Sequence, residues 1–280
     1  MKKTLALALV LVFVLCFGLT ACAGTPAGSA NDTQTAMTSG VQKVLEKGEL
    51  VVGCSPVVEG VCYQDTQSGE YVGMIPDIIN GYAAELGVKV KWEPLEWSTL
   101  IAAVNNGKVD MMAAHMTMTI ARTANITFTD PWISDASMAC VRADSSFNSL
   151  ADLNQPGVKI GSGEGSSYNE IIPQLFPNAE LVILPTTAWQ DALKTGRIDA
   201  MYDDSISFPG PISRSNGELR LIDEKQGAFL YGFGVPMGDE IFKDSLDVYL
   251  QTIKSDGRYG DIYQKWFGLE WNPNTSGNAF

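Results

Sequence analysis

Histidine and basic residues are scarce in this sequence. Its 280 residues include one histidine, and 19 lysines and arginines against 32 acidic residues, for a formal net charge of −13. Such a chain lacks the basic face that nucleic acids require, so we exclude nucleic acid as a partner. A single histidine excludes a histidine-rich metal site, and no zinc-type spacing of cysteine and histidine occurs. GxGxxG and phosphate-loop patterns are absent too, so we expect no cofactor and no metal.

The longest apolar run lies at the N-terminus and is too short for a comfortable membrane span. A charged start containing Lys2 and Lys3 precedes the apolar residues 5–19, which is the pattern of a secretory signal. The run ends in LTAC, which fits the bacterial lipobox, where Cys22 is acylated and becomes the mature N-terminus. A plain secretory signal with an incidental cysteine is the alternative.

We therefore predict a lipoprotein signal peptide at residues 1–21 and a flexible tether at residues 22–40, which are rich in Ala, Gly, Ser and Thr. Loss of the two lysines with the signal takes the net charge from −13 to −15. The mature protein is expected outside the cytoplasm, anchored by its lipid to the bacterial cell membrane.

Few cysteines remain once the signal is removed and Cys22 carries lipid. Cys54, Cys62 and Cys140 form an odd set in an oxidising compartment, so at least one thiol stays unpaired within the chain. Cys54 and Cys62 lie eight positions apart around a loop and could pair. Burial of each as a free thiol is the alternative.

Residues 97–132 organise the rest of the chain and contain an isolated arginine. Apolar residues at helix spacing lead to Gly107, which suits a left-handed helix cap, and residues 109–114 are predicted to form a short buried strand. Arg122 follows, five residues beyond Thr117 in a hydroxyl-rich turn. A guanidinium just beyond the carboxyl end of a strand is placed to hold a carboxylate or a phosphate bidentately. An ordinary surface arginine is the alternative.

This helix-to-strand unit occurs twice. Residues 103–112, AVNNGKVDMM, return as residues 192–201, ALKTGRIDAM, with the same order of helix end, glycine, basic residue, β-branched residue, aspartate and strand. At the same offset, His115 in the first copy corresponds to Asp204 in the second. Two copies predict two α/β lobes, each of which delivers polar residues from a strand end into a shared cleft.

Several spaced motifs together resemble the family 3 extracellular solute-binding proteins, the amino-acid receptors of ABC importers. The family pattern of a helix, GkvD, a strand, TiTpeR and FsdPY is similar to NNGKVD, TMTIAR and FTDPW here, and the family's terminal KwfG is similar to KWFG. The resemblance covers residues 41–268. It implies an α/β type II periplasmic binding-protein fold, in which two crossing strands join two lobes. Lobe 1 would comprise residues 41–140 and 233–280, and lobe 2 residues 141–232.

The resemblance also assigns the two ends of an amino-acid ligand. Arg122, with Thr117 in the preceding turn, lies on one side of the cleft and takes the ligand carboxylate. Ser166 and Ser167 lie in a Gly/Ser turn that follows a predicted strand and opens a helix, where free amides bind anionic oxygens. The resemblance makes Asp204 the carboxylate that receives the α-ammonium. Solvated acids at a strand end are the alternative.

Four further residues are expected near the ligand side chain or the cleft wall. Asp203 neighbours the side chain, and Trp97 stands where the family carries a large apolar residue that packs on it, with a core tryptophan as the alternative. Ser55 stands where the family often places an aspartate, which leaves the side-chain specificity open. His115 stands at the cleft wall in place of the usual Gly or Ser, although a structural histidine is more common.

The expected function is capture of an amino acid outside the membrane, without turnover, and delivery to the permease of an ABC transporter by a monomer. One alternative is a dehydratase-like enzyme on the same scaffold, with His115 and Glu164 as acid and base. A sensory module that presents its ligand state to a membrane partner is the other. Residues 54–69 contain no Lys or Arg, so a second ligand carboxylate would lack a partner. We therefore expect a neutral polar, apolar or cationic ligand side chain.

Overall fold

The computed structural model describes residues 39–272. The predicted signal peptide, the predicted acylation site Cys22 and nearly all of the predicted tether lie outside this range. Within residues 39–272, no helix has the length and apolar character needed to cross a membrane.

Nine helices occur in the described range, and the first follows its sequence signals closely. Ser39 caps it in a capping box with Gln42, and Gly48 ends it in the left-handed conformation, at φ +71°. The helices are α1 Gly40–Lys47, α2 Met74–Leu86, α3 Leu100–Asn105, α4 Ile120–Thr123, α5 Tyr168–Leu175, α6 Trp189–Lys194, α7 Pro209–Ser213, α8 Glu240–Asp256 and α9 Arg258–Phe267.

Thirteen strands form three sheets within the described residues. They are β1 Glu49–Cys54, β2 Val57–Val58, β3 Cys62–Gln64, β4 Tyr71–Val72, β5 Lys89–Pro94, β6 Met111–Met112, β7 Thr127–Phe128, β8 Ile133–Arg142, β9 Lys159–Gly163, β10 Glu180–Leu184, β11 Ala200–Asp204, β12 Leu219–Tyr231 and β13 Gly234–Val235.

The first sheet has the strand order β5-β1-β6-β13-β7, with β5, β1 and β6 parallel. Side chains alternate between the two faces of a strand, so neighbours in β6 enter different cores. Met111 packs in the cluster that contains α1, α2, α8 and α9, and Met112 packs with α3. Because both faces are covered, polar groups of this lobe reach solvent mainly from the loops at the strand ends.

The second sheet has the order β10-β9-β11-β8-β12 and repeats this plan. Its strands β10, β9 and β11 run parallel, while β8 is antiparallel to β11. Along β8, Ala139 and Val141 pack on the face that carries α5, whereas Met138 and Cys140 pack on the face that carries α6. The second copy of the repeated unit thus forms α6 and β11, as the first forms α3 and β6.

Two long strands, β8 and β12, connect the two halves. They pair antiparallel from one end to the other, with register shifts on either side of Gln226. The chain enters the second sheet through β8 and returns through β12 to β13 of the first. This is the predicted two-lobed type II architecture with two crossing strands. The lobe boundaries predicted after residues 140 and 232 fall within β8 and directly after β12.

Two local features differ from, or add to, what the sequence suggests. Residues 147–153 contain only the 3-10 turn Ala151–Leu153, because the Asp152 carboxylate accepts the amides of Asn148 and Ser149. The chain after β1 forms the small sheet β2-β3-β4 rather than an open loop.

The three cysteines of the described range are buried free thiols. The Cys62 thiol hydrogen-bonds to Cys54, and this contact together with burial raises the pKa of Cys62. For Cys140, burial raises the pKa to about 12. The Cys62 and Cys140 thiols are therefore protonated at neutral pH, which is the unreactive form of a cysteine.

Candidate functional site

A cavity of about 300 Å³ lies between the two lobes, at the lower end of the range of about 300–1,000 Å³ that small-molecule pockets occupy. It collects side chains from the carboxyl ends of β9 and β11 and from the segments that follow β6, β9, β10 and β11. Seven of the nine residues predicted from the sequence line it: Trp97, His115, Thr117, Ser166, Ser167, Asp203 and Asp204.

Ser55 and Arg122 do not line this cavity. Ser55 is buried directly after β1, and its carbonyl accepts the Val57 amide, so it shapes the turn that leads into β2. Val57 and Val58, in the next strand β2, line the cavity where Ser55 does not.

Arg122 lies on the short helix α4, whose N-cap Thr119 accepts the Arg122 amide. Its guanidinium donates to the Thr117 carbonyl at 2.8 Å and to the Gly165 carbonyl of the second lobe at 3.0 Å. Burial lowers the pKa of Arg122, an effect that the negative charges of Asp204 and Glu170 oppose. The guanidinium has five N–H donors, so these two bonds leave others free for an anionic ligand group beside the cavity.

The Gly/Ser turn between β9 and α5 meets the first lobe closely. Gly165 has φ +73°, and a Cβ there would lie 3.1 Å from the Ser98 backbone, so glycine suits this position on both counts. The Ser166 amide closes the turn by donating to the Gly163 carbonyl. The Ser167 amide has no such partner among the described residues, and the Ser167 hydroxyl lies 3.3 Å from that of Thr117. The backbone N–H of Ser167 can therefore donate a hydrogen bond to an anionic group of a ligand.

Asp204 ends β11 and is 4 % exposed. Its Oδ1 accepts the hydroxyls of Tyr168 at 2.5 Å and Tyr231 at 2.6 Å. Burial raises the pKa of Asp204 well above its ordinary value, and the neighbouring charge of Asp203 adds to this effect. A cation that enters the cavity would stabilise the ionised form of this buried carboxylate.

Asp203 lies beside Asp204 and belongs to the same group of acids. Burial raises the pKa of Asp203 to about 7, and the charge of Asp135 contributes. Asp135 is fully buried and accepts the Ser205 hydroxyl and the amides of Ala136 and Ile206. Asp135 is thus held by protein donors, whereas Asp203 faces the cavity.

Sequence reasoning missed Tyr168 and Tyr231 as functional residues. Tyr168 is the first residue of α5, and Tyr231 ends the crossing strand β12, where it bridges to Thr117. Thr186, Thr187, Trp189 and Gln190 were missed as well, although they line the cavity. Their signal was available, because they follow the carboxyl end of the parallel strand β10, where ligands bind in such sheets.

Aromatic rings form the wall nearest the first lobe. The Trp97 and His115 rings lie 5.0 Å apart, and the His115 and Tyr231 rings 6.4 Å apart. Burial lowers the pKa of His115 to about 4, and the positive charge of Arg122 adds to the effect. His115 is therefore a neutral imidazole at physiological pH.

The state of His115 can be tested directly because it is the chain's sole histidine. In tag-free protein, its ring NMR signals should stay constant between about pH 5.5 and pH 8 and shift only near pH 4. Since unfolding returns the pKa to about 6.5, this group should lower the protein's stability as the pH falls from that value towards 4. A titration midpoint near 6.5 in the folded protein would contradict the buried, neutral assignment.

Contacts across the cavity join the lobes in a closed arrangement. Arg122 reaches the Gly165 carbonyl, and Glu59 forms an ion pair with Arg214. Glu164 is exposed and does not line the cavity, so the acid-base pair of His115 and Glu164 envisaged for an enzyme is not assembled. No cluster of His, Cys, Asp and Glu suited to a metal ion occurs within residues 39–272.

Residues 50–269 match the family model described as bacterial extracellular solute-binding proteins, family 3. The chain belongs to this family. The match covers both lobes, so the family resemblance of the spaced sequence motifs is confirmed, and with it the extracytoplasmic substrate-binding role of an ABC transporter component.

Three members and neighbours of the family illustrate the similarity. The glutamine-binding protein of an ABC transporter from Bacillus subtilis strain 168 is 26% identical over 270 residues, covering 95% of this chain and 97% of that protein. An ancestral amino-acid-binding protein described as a precursor of cyclohexadienyl dehydratase has 28% identity and a TM-score of 0.75 over 82% of this chain and 100% of its own. An ancestral arginine-binding protein bound to arginine has 28% identity and a TM-score of 0.72, over 79% and 99%.

Proposed function

We propose that this solute-binding protein captures an α-amino acid between its lobes and delivers it to the permease of an ABC transporter. The observation that carries the proposal is the separation of charge in the cleft. Buried Asp204 provides an anion that has no ion-pair partner among residues 39–272. The guanidinium of Arg122 on the first lobe and the Ser167 amide in the Gly/Ser turn of the second lobe provide donors for an anionic group. An α-amino acid carries the complementary pair of charges on one carbon.

The two lobes would each hold part of such a ligand. Asp204 and Ser167 belong to the second lobe, whereas Arg122 and Thr117 belong to the first. A ligand that bridges them makes more contacts in the closed state than in the open state, and this difference in affinity favours closure. Binding as a monomer, followed by docking of the closed form on the permease, completes the proposed role. The named relatives that bind glutamine or arginine support an amino acid as the ligand class.

Titration calorimetry tests the proposal after a thermal-shift screen against all amino acids. The best amino acid is compared with its decarboxylated amine and its deaminated acid, and each analogue should bind at least about a hundredfold more weakly, because one buried protein charge then stays unpaired. Ligand recovered unchanged after long incubation would support binding without turnover. An analogue that binds within about threefold of the parent amino acid would contradict the assignment.

We also propose that Cys22 carries the lipid that holds the protein at the membrane. Replacing Cys22 by serine should move the protein from the membrane fraction to the soluble fraction of the producing cell, because acyl chains supply the apolar surface of such an anchor. Cys16→Ser, six residues upstream in the predicted signal, is the matched control and should leave the distribution unchanged. A Cys22→Ser protein that still sediments with membranes would refute the anchor.

A further inference from the structure

The cavity wall carries two carboxylates where a single one would receive an α-ammonium. Asp203 and Asp204 are consecutive at the end of β11, and both line the cavity. No lysine or arginine is among the described residues that line it. Across residues 39–272, neither carboxylate takes part in an ion pair. The described lining of the cavity therefore carries an excess of negative charge, which the one guanidinium beside the cavity, that of Arg122, is too little to balance.

The two carboxylates differ in how the protein satisfies them. Asp204 accepts two tyrosine hydroxyls on one oxygen. Asp203 accepts a single hydrogen bond among the described residues, from the Asp204 amide at 2.8 Å to its Oδ1. The other Asp203 oxygen has no hydrogen-bond donor among residues 39–272, and the residue is half-buried at the cavity wall. A half-buried carboxylate at the cavity wall, with one oxygen that no described residue contacts, is open to a ligand group.

Charge balance then limits what the ligand side chain can be, given the proposed binding of an α-amino acid. The ligand ammonium balances Asp204, and the ligand carboxylate balances Arg122, so a neutral side chain leaves Asp203 unbalanced. An anionic side chain would place a second negative charge beside Asp203, and the repulsion between them would weaken binding further. A cationic side chain would balance the negative charge of Asp203. Trp97 and Trp189 line the same cavity and offer aromatic surface to its stem and charge.

We infer that the ligand is an amino acid with a cationic side chain and that Asp203 pairs with that cation. This inference rests on the proposed function and narrows it, since family membership leaves the side chain open among relatives that bind glutamine or arginine. The assignment gives the paired acids separate tasks. Asp204 recognises the group common to all amino acids, and Asp203 selects among side chains.

Calorimetry with L-arginine, L-lysine and L-citrulline tests the charge requirement. Citrulline has nearly the shape of arginine but a neutral side chain, so the pair isolates the charge. At about pH 8, where the Asp203 carboxyl is ionised, arginine or lysine should bind roughly tenfold to a hundredfold more tightly than citrulline. Citrulline or glutamine binding as tightly as the cationic amino acids would overturn the inference and leave the proposed function standing. Failure of every amino acid to bind would overturn both.

The Asp203→Asn variant tests the residue assignment through a ratio. Its arginine-to-citrulline affinity ratio should fall by at least about tenfold, because the variant keeps the shape of the side chain and loses its charge. Asp223→Asn, an exposed aspartate on β12 of the same lobe, is the matched control and should preserve the ratio. A ratio that stays at the wild-type value in Asp203→Asn would show that another group holds the cation and would refute the assignment.

Discussion

Asp204→Asn should weaken binding of the best amino acid by about a hundredfold or more, equivalent to about 3 kcal/mol. Asparagine keeps an oxygen that can accept the hydroxyls of Tyr168 and Tyr231, so the local structure should survive. What disappears is the buried negative charge that would face the ligand ammonium. Breaking a buried ion pair by removing one partner costs about 3–5 kcal/mol, which sets the size of the effect. Titration calorimetry on the wild type and the variant measures it.

The same substitution should raise the stability of the ligand-free protein. The pKa of Asp204 is raised by folding, so the folded state binds more protons than the unfolded state, and stability falls as the pH rises above the ordinary value of 3.8. Thermal unfolding at about pH 8 should therefore show a higher Tm for Asp204→Asn than for the wild type, with a smaller difference near pH 4. Functional sites commonly show this trade of stability for binding.

Asp144→Asn, whose carboxylate is 86% exposed on the second lobe, is the control for both measurements. It should change neither the affinity nor the Tm, because its charge is screened by solvent. An Asp204→Asn protein that is fully folded and binds within about threefold of the wild type would remove Asp204 from the site.

Arg122→Ala should cause the other large loss, again about a hundredfold or more in affinity. The substitution removes the proposed partner of the ligand carboxylate and also the hydrogen bond that reaches the Gly165 carbonyl across the cleft. Arg122→Lys should recover only part of the loss, because a lysine keeps the charge but not the planar fork of donors. His115→Ala should have a much smaller effect than either if His115 is structural.

The ligand analogues show which group Arg122 contacts. The decarboxylated amine already lacks the carboxylate, so Arg122→Ala should weaken its binding much less than it weakens binding of the intact amino acid. Arg197→Ala is the matched control, since Arg197 occupies an exposed position in the second copy of the repeated unit. Equal losses for the amino acid and the amine would show that Arg122 acts through lobe closure rather than through the ligand carboxylate.

The site residues that can be predicted from the sequence are those marked by a short sequence pattern close to them in the chain. The repeated GKVD and GRID units identify two strand ends, and the polar residues just beyond them, His115, Thr117 and Asp204, line the cavity. Strand-end position is encoded within a few residues, by a glycine cap followed by a short apolar run. The two copies of this unit predicted two lobes, and the order of the motifs resembled a family whose fold has two crossing strands.

Tertiary structure alone decided how these residues are partnered. Tyr168 and Tyr231 meet on Asp204 from 36 and 27 positions away along the chain, one from a helix start and one from a crossing strand. Arg122 reaches Gly165 across the cleft, 43 positions away. Such meetings depend on how helices and sheets pack, which no short segment encodes. Whether a carboxylate is balanced depends on these distant partners. The sequence by itself determined where the acids lie, and only the folded chain left one Asp203 oxygen without a hydrogen-bond donor among residues 39–272.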